Sequence, residues 1–399
     1  MSRLGCIITS LYDAIMTVKH LRAWIWQRRD WPNFTWDAAH LSAPLATARR
    51  AQGEVAGMAR LLDPDADLNA QLEVLTQEGL ATSAIEGETF DPGSLRSSLA
   101  RRLGLPTAGL PPALRSVEGL ADVLLDATRR YDRALTLEKV CDWQAALFPT
   151  GRSGLHTVRV GQLRGNHPMQ IVSGPIGRER VHYEAPPRNR LGGEMKKFLG
   201  WFNTPPNDLD GLLRAGLAHA WFELVHPFED GNGRVGRALL DRALAQDERR
   251  ASRLYSVSAR FEAVRDDYYN ALGDLSRGDL DVTSWLKWFL LQVEAAARSS
   301  EHTVQHVLFK ARYWAQHAPK ALNGRQRKAL NALLDARQGF VGGMTNRKYA
   351  SLTKTSPATA QRDLAELVTL ECLVLMGAGR SARYELPGQR RERRYEVKR

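Results

Sequence analysis

The 399-residue chain has few cysteines and no long apolar run. Its three cysteines, Cys6, Cys141 and Cys372, lie far apart, and their spacing fits neither a zinc site nor a disulfide framework. No stretch reaches the roughly 20 apolar residues that span a bilayer. The P-loop pattern G-x-x-x-x-G-K-[ST] and the protein-kinase signatures are also missing. These absences argue against a disulfide-stapled module, a membrane protein, an ordinary NTPase and a kinase, and we expect a reducing, cytoplasmic location without a membrane partner.

Positive charge is concentrated at one end of the chain. Residues 301–399 contain 19 Lys and Arg against 8 Asp and Glu, whereas residues 1–300 contain 37 against 36. The formal net charge of +12 therefore belongs almost entirely to a C-terminal module. Such a module is expected to meet an acidic partner, and the charge carries no information about the centre of the chain.

Most of the chain has apolar residues at helical spacing, which predicts a mainly α fold. One helix is expected through the run from Leu45 to Leu80, ending at the segment TSAIEGE, where Gly87 supplies a left-handed stop. The segment RFEAVRDDYYNAL, residues 260–272, is expected to form a single helix. Between Val158 and Pro187, glycines, prolines and alternating Val and Ile residues predict a short β-hairpin or flap.

Both ends of the chain have features that the centre lacks. The N-terminal segment AWIWQRRDWPNFTWDAAHL carries four tryptophans, which are expected to pin it onto the core. After residue 300, three helical segments precede two β-like runs around a glycine-rich turn, which is the order of a winged helix-turn-helix. We therefore predict an N-terminal Trp-rich helical domain over residues 1–110, a catalytic domain over 111–300, and a winged helix-turn-helix with a basic tail over 301–399.

The stretch ELVHPFEDGNGRVGRALL, Glu223 to Leu240, concentrates groups that suit one kind of chemistry. Pro227 disfavours helical geometry at His226, so the imidazole is expected at a helix end beside a loop. The glycines of EDGNG permit positive φ, and the next helix is expected to begin near Arg234 with its free N–H groups facing the loop. Arg234 and Arg237 are three residues apart and share one helix face.

A turn of N–H groups beside two arginines favours a polyphosphate ligand. Asp230 would repel a bare phosphate but suits a Mg²⁺ ion that bridges two phosphates. His226 is then placed to take a proton from an attacking hydroxyl. The stretch therefore predicts a nucleotidyl or phosphoryl transfer site; the alternative is a structural helix–turn–helix with solvated arginines.

The segment HPFEDGNGRVGR matches H-x-F-x-[DE]-G-N-G-R-x-x-R at every fixed position, and the chain thereby resembles the Fic-domain proteins. The segment TSAIEGE fits [ST]-x-x-x-E-[GN] through Thr82, Glu86 and Gly87, the motif of the class with an N-terminal inhibitory helix. The Trp-rich opening and the winged-helix tail look like the same class. The resemblance implies a helical Fic core with a β-hairpin flap.

By this resemblance the activity is protein adenylylation, in which AMP moves from ATP to a hydroxyl side chain of a protein, including the chain itself. His226 would be the base, Asp230 the Mg²⁺ ligand and Phe228 a core anchor. The implied nucleotide-binding residues are Gly231, Asn232, Gly233, Arg234 and Arg237, with the two arginines on the β- and γ-phosphates, and Tyr268 and Tyr269 at the adenine. For the two tyrosines, core packing is an equal alternative.

Two further segments have implied roles. The flap residues Met169, Gln170, Ile171 and Val172 would align the target as an added strand. Glu86 is expected to pair bidentately with Arg237, which deprives the γ-phosphate of its partner and inhibits the chain by default. A solvated glutamate at a helix terminus is the alternative for Glu86.

Three other functions stay open at this point. Glu86 could orient a water that removes AMP from a modified protein at the same site. Thr359, Gln361 and Arg362 could enter a DNA major groove, which would make the chain a transcriptional regulator. A binding scaffold with an inactive site is the third, although every residue that the chemistry needs is present. A homodimer is expected by default.

Overall fold

The computed structural model describes residues 24–105, 111–173, 180–251, 253–317, 320–335 and 342–387. The described chain is mainly helical with three two-stranded antiparallel sheets, which confirms the predicted fold class. Internal contacts divide it into one unit that ends at Val304 and a second unit, Gln305–Arg399. Among the described residues, no helix combines the length and the apolar character that crossing a membrane requires.

The helices up to residue 317 are bounded as follows: α1 Ala38–Ala59, α2 Pro64–Ile85, α3 Pro92–Leu103, α4 Arg115–Arg129, α5 Leu137–Leu147, α6 Arg188–Asn203, α7 Gly211–Val225, α8 Asn232–Glu248, α9 Val257–Ala263, α10 Arg265–Arg277 and α11 Thr283–His317. The strands are β1 Arg152–Ser153, β2 His156–Thr157, β3 Gln170–Ser173 and β4 Arg180–Glu184. The domain boundary predicted at residue 300 lies inside α11.

Helix α7 is the centre of the first unit. Asp210 caps its N-terminus by accepting hydrogen bonds from Leu212 N and Leu213 N, at 2.8 and 3.4 Å. All but two of its fifteen residues are buried, which is typical of a helix surrounded by others. Helix α8 packs directly beside it. The turn between α7 and α8 is therefore held by two buried helices.

The helix expected through Leu45–Leu80 is wrong, because the chain forms two helices there. Asp63 caps α2 by accepting a hydrogen bond from Ala66 N at 2.8 Å, and Pro64 occupies the first helical position. Leu61, which falls within that predicted helix, lies in the connection and is 70% exposed. A strong N-cap followed by proline starts a new helix even where apolar residues continue at helical spacing.

Two other boundaries also differ from the expectation. The predicted helix 260–272 is interrupted at Val264 (φ −125°, ψ 40°), which separates α9 from α10. Helix α8 begins at Asn232 rather than near Arg234. The earlier start brings both arginines inside the helix, in its first two turns.

The N-terminal arm is pinned by its tryptophans, as expected. Trp26 Nε1 donates to the backbone oxygen of Glu184 at 2.7 Å, and Trp31 Nε1 donates to Glu194 Oε2 at 2.9 Å. Trp24 packs edge-on against Tyr183, with ring centroids 5.5 Å apart. Glu184 and Tyr183 belong to β4, so the arm supports the base of the flap.

The flap is the antiparallel pair β3–β4. Its register pairs Gln170 with Glu184 and Ile171 with Tyr183, and a bulge follows Ile171. The loop at its tip lies outside the described residues. The predicted hairpin is therefore present, and Tyr183 joins it to the core by donating a hydrogen bond to Leu224 O.

The second unit contains α12 Gly324–Asp335, α13 Asn346–Thr353, α14 Pro357–Thr369, β5 Val374–Met376 and β6 Arg383–Glu385. Ser356 caps α14, and β5 pairs with β6. Asp363 is 5% exposed and accepts hydrogen bonds from Arg325 Nε at 2.8 Å and Tyr349 Oη at 2.9 Å. The predicted order of helices and hairpin is present, and its assignment as a winged helix-turn-helix stays a prediction.

The contact between α4 and α5 makes a prediction about stability. A Cβ at Gly119 would lie 1.8 Å from Ala146 O, so we expect Gly119→Ala to lower the free energy of unfolding by about 1–3 kcal/mol through overpacking. Gly57→Ala is the matched control, because a Cβ at that position in α1 would meet no described atom within 4 Å apart from the adjoining helix backbone. It should raise the stability by about 0.5–1 kcal/mol. Urea unfolding measures both, and equal effects would contradict the packing argument.

Candidate active site

The α7–α8 turn is fixed by its own side chains. His226 ends α7 in the left-handed region (φ 47°, ψ 61°), where the proline that follows it excludes continued helix. Asn232 Oδ1 accepts a hydrogen bond from Phe228 N at 2.9 Å, and Asn232 Nδ2 donates to Phe228 O at 2.8 Å. Phe228 is fully buried, as its predicted role of core anchor requires.

Asn232 has a structural role beside the one expected for it. Both polar atoms of its side-chain amide bind the backbone of Phe228, so the amide shapes the loop, and its contact with a nucleotide stays a prediction. The backbone N–H groups at the start of α8 are the remaining candidates for anion contacts. Gly231 adopts φ +87°, and a Cβ there would lie 2.9 Å from the ring of Phe148. Glycine is therefore required at position 231, because the backbone has a positive φ and because a side chain would collide with Phe148.

One ring nitrogen of His226 forms a hydrogen bond with the backbone. Its Nδ1 lies 3.3 Å from Glu223 O, which favours the tautomer in which Nδ1–H donates and Nε2 keeps its lone pair. Arg164 Nε donates to the backbone oxygen of His226 at 2.9 Å. Burial lowers the pKa of His226 to about 4, and the nearby Arg164 charge acts in the same direction. The imidazole is therefore neutral at pH 7 and able to accept a proton.

Both arginines of the motif are buried and paired with the end of α2. Arg237 Nη2 donates to Glu86 Oε1 at 2.7 Å, and Arg237 Nε donates to Thr82 Oγ1 at 2.6 Å. Arg234 Nη1 donates to Glu88 Oε2 at 2.8 Å. The side chains of Arg237 and Arg234 are 2% and 4% exposed, so each carries a charge that water does not compensate.

Glu86 lies over the N-terminus of α8. A Cβ on Gly233 would be 2.1 Å from Glu86 Oε1, so only a glycine admits the carboxylate at this point. Burial acts to raise the pKa of Glu86, but the charges of Arg237 and Arg234 outweigh it and the pKa lies below its usual value. The expected pairing with Arg237 is present, although through one donor nitrogen instead of two. Gly87 has the expected positive φ of 80°.

Asp230 is a candidate for one ligand of a metal ion. Its Oδ1 accepts a hydrogen bond from Gly231 N at 2.5 Å, and its side chain is 37% exposed. Within the described ranges, no group of three or more His, Cys, Asp or Glu residues could hold a metal ion. One exposed carboxylate fits Mg²⁺, which proteins often bind through one or two carboxylates, water and substrate phosphates.

The site opens into a cavity of about 700 Å³. Its lining includes Glu86, Ile171, His226, Gly233, Arg237 and Tyr269. Of the two expected adenine neighbours, Tyr268 is buried and its hydroxyl lies 2.8 Å from His219 Nε2, which favours the core alternative. Tyr269 is 45% exposed and donates to Ile85 O at 3.1 Å. Tyr269 is thus the better candidate for contact with a ligand.

The flap residues contribute unequally to this cavity. Ile171 is 47% exposed and lines it. Gln170 Nε2 donates to Glu184 Oε2 at 2.7 Å, and Met169 O accepts a hydrogen bond from Ala185 N at 2.9 Å. The backbone of Val172 pairs with Val181. The flap therefore borders the entrance beside His226.

Sequence reasoning missed Glu223 and Glu88. Glu223 lines the cavity, and its buried Oε1 has no hydrogen-bond partner among the described residues. Burial raises the pKa of Glu223 to about 8, while the charge of Arg237 opposes the rise. A Cβ on Gly236 would lie 2.3 Å from that oxygen, so the glycine one turn into α8 was the available signal. Glu88 carried no signal beyond its place next to the TSAIEG motif.

The three residues proposed for DNA contact lie in the second unit. Gln361 and Arg362 are exposed on α14, and Thr359 is half-buried. Asn346 Nδ2 donates to Gln361 Oε1 at 3.1 Å, and Gln361 Nε2 lies 3.5 Å from the hydroxyl of Tyr384. The side-chain amide of Gln361 is therefore already engaged with neighbouring residues. Arg362 makes a long contact, in which its Nη2 lies 3.5 Å from Thr359 Oγ1.

Comparisons with known proteins agree with this geometry. The model described as the Fic/DOC family matches residues 134–244, which include the α7–α8 turn and all of its motif residues. Residues 134–244 form a Fic domain. A domain of unknown function, DUF4172, matches residues 24–105, the part that contains the tryptophan arm and the TSAIEGE segment.

Named relatives resemble parts of the chain. A probable protein adenylyltransferase of Aquifex aeolicus is 30% identical over 104 residues, 26% of this chain and 30% of that protein. A protein adenylyltransferase of Caenorhabditis elegans is 28% identical over 209 residues, 50% of this chain and 36% of that protein. The match thus spans about a third of the length of these relatives.

A solved structure extends the likeness of fold. The crystal structure of a Fic family protein from Desulfovibrio desulfuricans has a TM-score of 0.53 at 20% identity, and it covers 90% of this chain and 98% of that one. At this level of identity the similarity concerns the fold alone.

The burial of His226 in the Fic domain makes a prediction for NMR. The folded protein should keep this imidazole neutral well below the ordinary value of 6.5, with a midpoint at about pH 4. The unfolded chain then binds more protons between these two values, so stability falls as the pH drops from 6.5 towards 4. A ring-proton titration measures the midpoint, and His226→Ala identifies the signal by its loss. A midpoint near 6.5 would contradict the burial argument.

Proposed function

We propose that the chain is a protein adenylyltransferase that moves AMP from ATP to a hydroxyl side chain of a protein, itself included, and that Glu86 inhibits it. One observation carries the proposal: the motif histidine and arginine open onto one cavity, and Glu86 lies 2.7 Å from that arginine, Arg237. The adenylyltransferase names of the relatives support it.

The reaction follows from where the groups lie. A target hydroxyl attacks the α-phosphorus of ATP, and its proton passes to the free Nε2 of His226. The new bond joins the hydroxyl oxygen to the α-phosphorus, while the bond from that phosphorus to the bridging oxygen breaks and pyrophosphate leaves. The low pKa of His226 in the free protein keeps the imidazole ready for this proton.

The anionic end of ATP needs the cations that the site provides. Arg234 and Arg237 would take the β- and γ-phosphates, and N–H groups of the first turn of α8 would contribute further donors. Asp230 would hold Mg²⁺, which would supply positive charge to the pyrophosphate that leaves. In a buried setting such fixed charges act strongly because water does not screen them.

Inhibition follows from competition for Arg237. With the Glu86 carboxylate on this guanidinium and above Gly233, a γ-phosphate has neither its partner nor its space. ATP would then lie with its α-phosphate out of line for attack, and transfer would stop. The flap would align the target through β3, where half-exposed Ile171 borders the cavity. The cytoplasmic location and the homodimer remain sequence-based predictions.

Removing the inhibitory carboxylate should switch the protein on. We expect Glu86→Gly to raise self-modification from labelled ATP by about tenfold or more, the factor that 1.4 kcal/mol provides. Intact-mass spectrometry should show one added AMP per modified site. His226→Ala in the same background should lower the rate by a factor of about 10²–10⁴.

The matched control is Glu54→Gln, which removes an exposed carboxylate from α1 far from the motif in sequence. It should leave the rate at the wild-type level. Equal transfer by wild type and Glu86→Gly would contradict inhibition, and transfer that survives His226→Ala would contradict the assigned base.

A second proposed function concerns the basic C-terminal unit. Exposed Arg362 on α14 and the 19 basic residues beyond residue 300 suit contacts with DNA phosphates. This activity would make the chain a DNA-binding regulator as well as an enzyme.

Full-length protein tests this function in a gel-shift salt titration. Binding to duplex DNA should weaken steeply with salt, and Arg362→Ala should reduce the slope by about one phosphate contact. Lys196→Ala is the charge-matched control, because Lys196 is exposed in the first unit. Absence of retardation at low salt would remove DNA binding from the proposal.

A further inference from the structure

The turn after α2 brings a second carboxylate into contact with the Fic motif. Glu88 Oε2 lies 2.8 Å from Arg234 Nη1. Glu86, two residues before Glu88, forms an ion pair with Arg237. Each motif arginine therefore has its own acidic partner in this turn. The motif [ST]-x-x-x-E-[GN] ends at Gly87, so it does not account for the second ion pair.

The backbone fixes the spacing of the two carboxylates. Glu88 N donates to Ser83 O at 2.9 Å and Gly87 N donates to Ala84 O at 3.0 Å, the bond pattern that closes a helix through a left-handed glycine. Gly87 supplies that conformation with φ +80°. Glu86 and Glu88 are thus presented together by one rigid helix end rather than by a flexible loop.

Arg234 depends on this partner. Its side chain is 4% exposed, its guanidinium carbon lies 4.9 Å from the centre of the Phe148 ring, and its second carboxylate neighbour, Asp230, is 3.8 Å away. The Asp230 contact is at the limit of an ion pair, so Glu88 provides the short hydrogen bond. Glu88 itself is 36% exposed, which leaves it free to withdraw when another anion takes its place.

We propose that Glu88 is a second inhibitory residue, which occupies Arg234 at the position of the β-phosphate. The inference rests on the proposed function, in which Arg234 and Arg237 hold the β- and γ-phosphates. The two carboxylates of the turn then imitate the last two phosphates of ATP. A nucleoside diphosphate competes with Glu88 alone, a triphosphate competes with both residues, and a monophosphate competes with neither.

A nucleotide series separates these contributions. Affinities for ATP, ADP and AMP with Mg²⁺ are measured by calorimetry on wild type, Glu88→Gln, Glu86→Gly and the double variant. Glu88→Gln should tighten ATP and ADP by about three- to tenfold, the range of a partly exposed ion pair, and leave AMP unchanged. Glu86→Gly should tighten ATP more than ADP. Glu54→Gln controls for the loss of one negative charge and should tighten none of the three.

Melting temperatures show whether Glu88→Gln is folded, and a value somewhat below that of Glu54→Gln is expected because Arg234 loses its charged partner. Equal shifts for AMP and ATP, or no shift for ADP, would overturn the role of Glu88. The affinities can be measured without catalysis. If Glu86→Gly binds ATP but never gains an AMP adduct, the proposed function is wrong, and the nucleotide series still shows whether Glu88 competes with the β-phosphate. No saturable ATP binding in any variant would overturn both.

Discussion

The buried guanidinium of Arg237 is the group on which the rest of the site depends. A charge so fully removed from water needs an anion and hydrogen-bond acceptors, and the end of α2 provides them through Glu86 and Thr82. Burial of Arg237 therefore ties the DUF4172-like region to the Fic domain. The same need makes the contact exchangeable, because another anion of suitable shape satisfies the arginine equally well.

The groups around Arg237 leave space for an anion. Gly233 leaves room for an oxygen beside the first turn of α8, and the carboxylate of Glu86 fills that room. Glu223 contributes a second carboxyl group near Arg237, and burial raises its pKa to about 8, which favours the neutral form at pH 7. A neutral Glu223 does not repel the charged carboxylate of Glu86.

The sequence alone predicted which residues meet better than it predicted the local geometry. The Fic signature pointed to the histidine and the two arginines, the TSAIEGE segment pointed to Glu86, and the structure brings these residues together at one turn. Helix boundaries were less predictable. Asp63 and Pro64 divided an apolar run that looked continuous, since a strong cap outweighs a periodic pattern. Glu88 was invisible in the sequence and Glu223 was marked by nothing but the nearby Gly236, because the surroundings of both residues arise from parts of the chain that meet only after folding.

The amide of Asn232 has a consequence for how the turn meets a ligand. Because the side chain clasps the backbone of Phe228 from both sides, the loop holds its shape in the absence of any bound molecule. A visiting anion then loses little free energy to ordering the chain, since the conformational entropy has already been removed by folding. Recognition at this turn is in this sense rigid, and an exchange of anions would fall to the partly exposed side chains of Glu86 and Glu88 that lie across it.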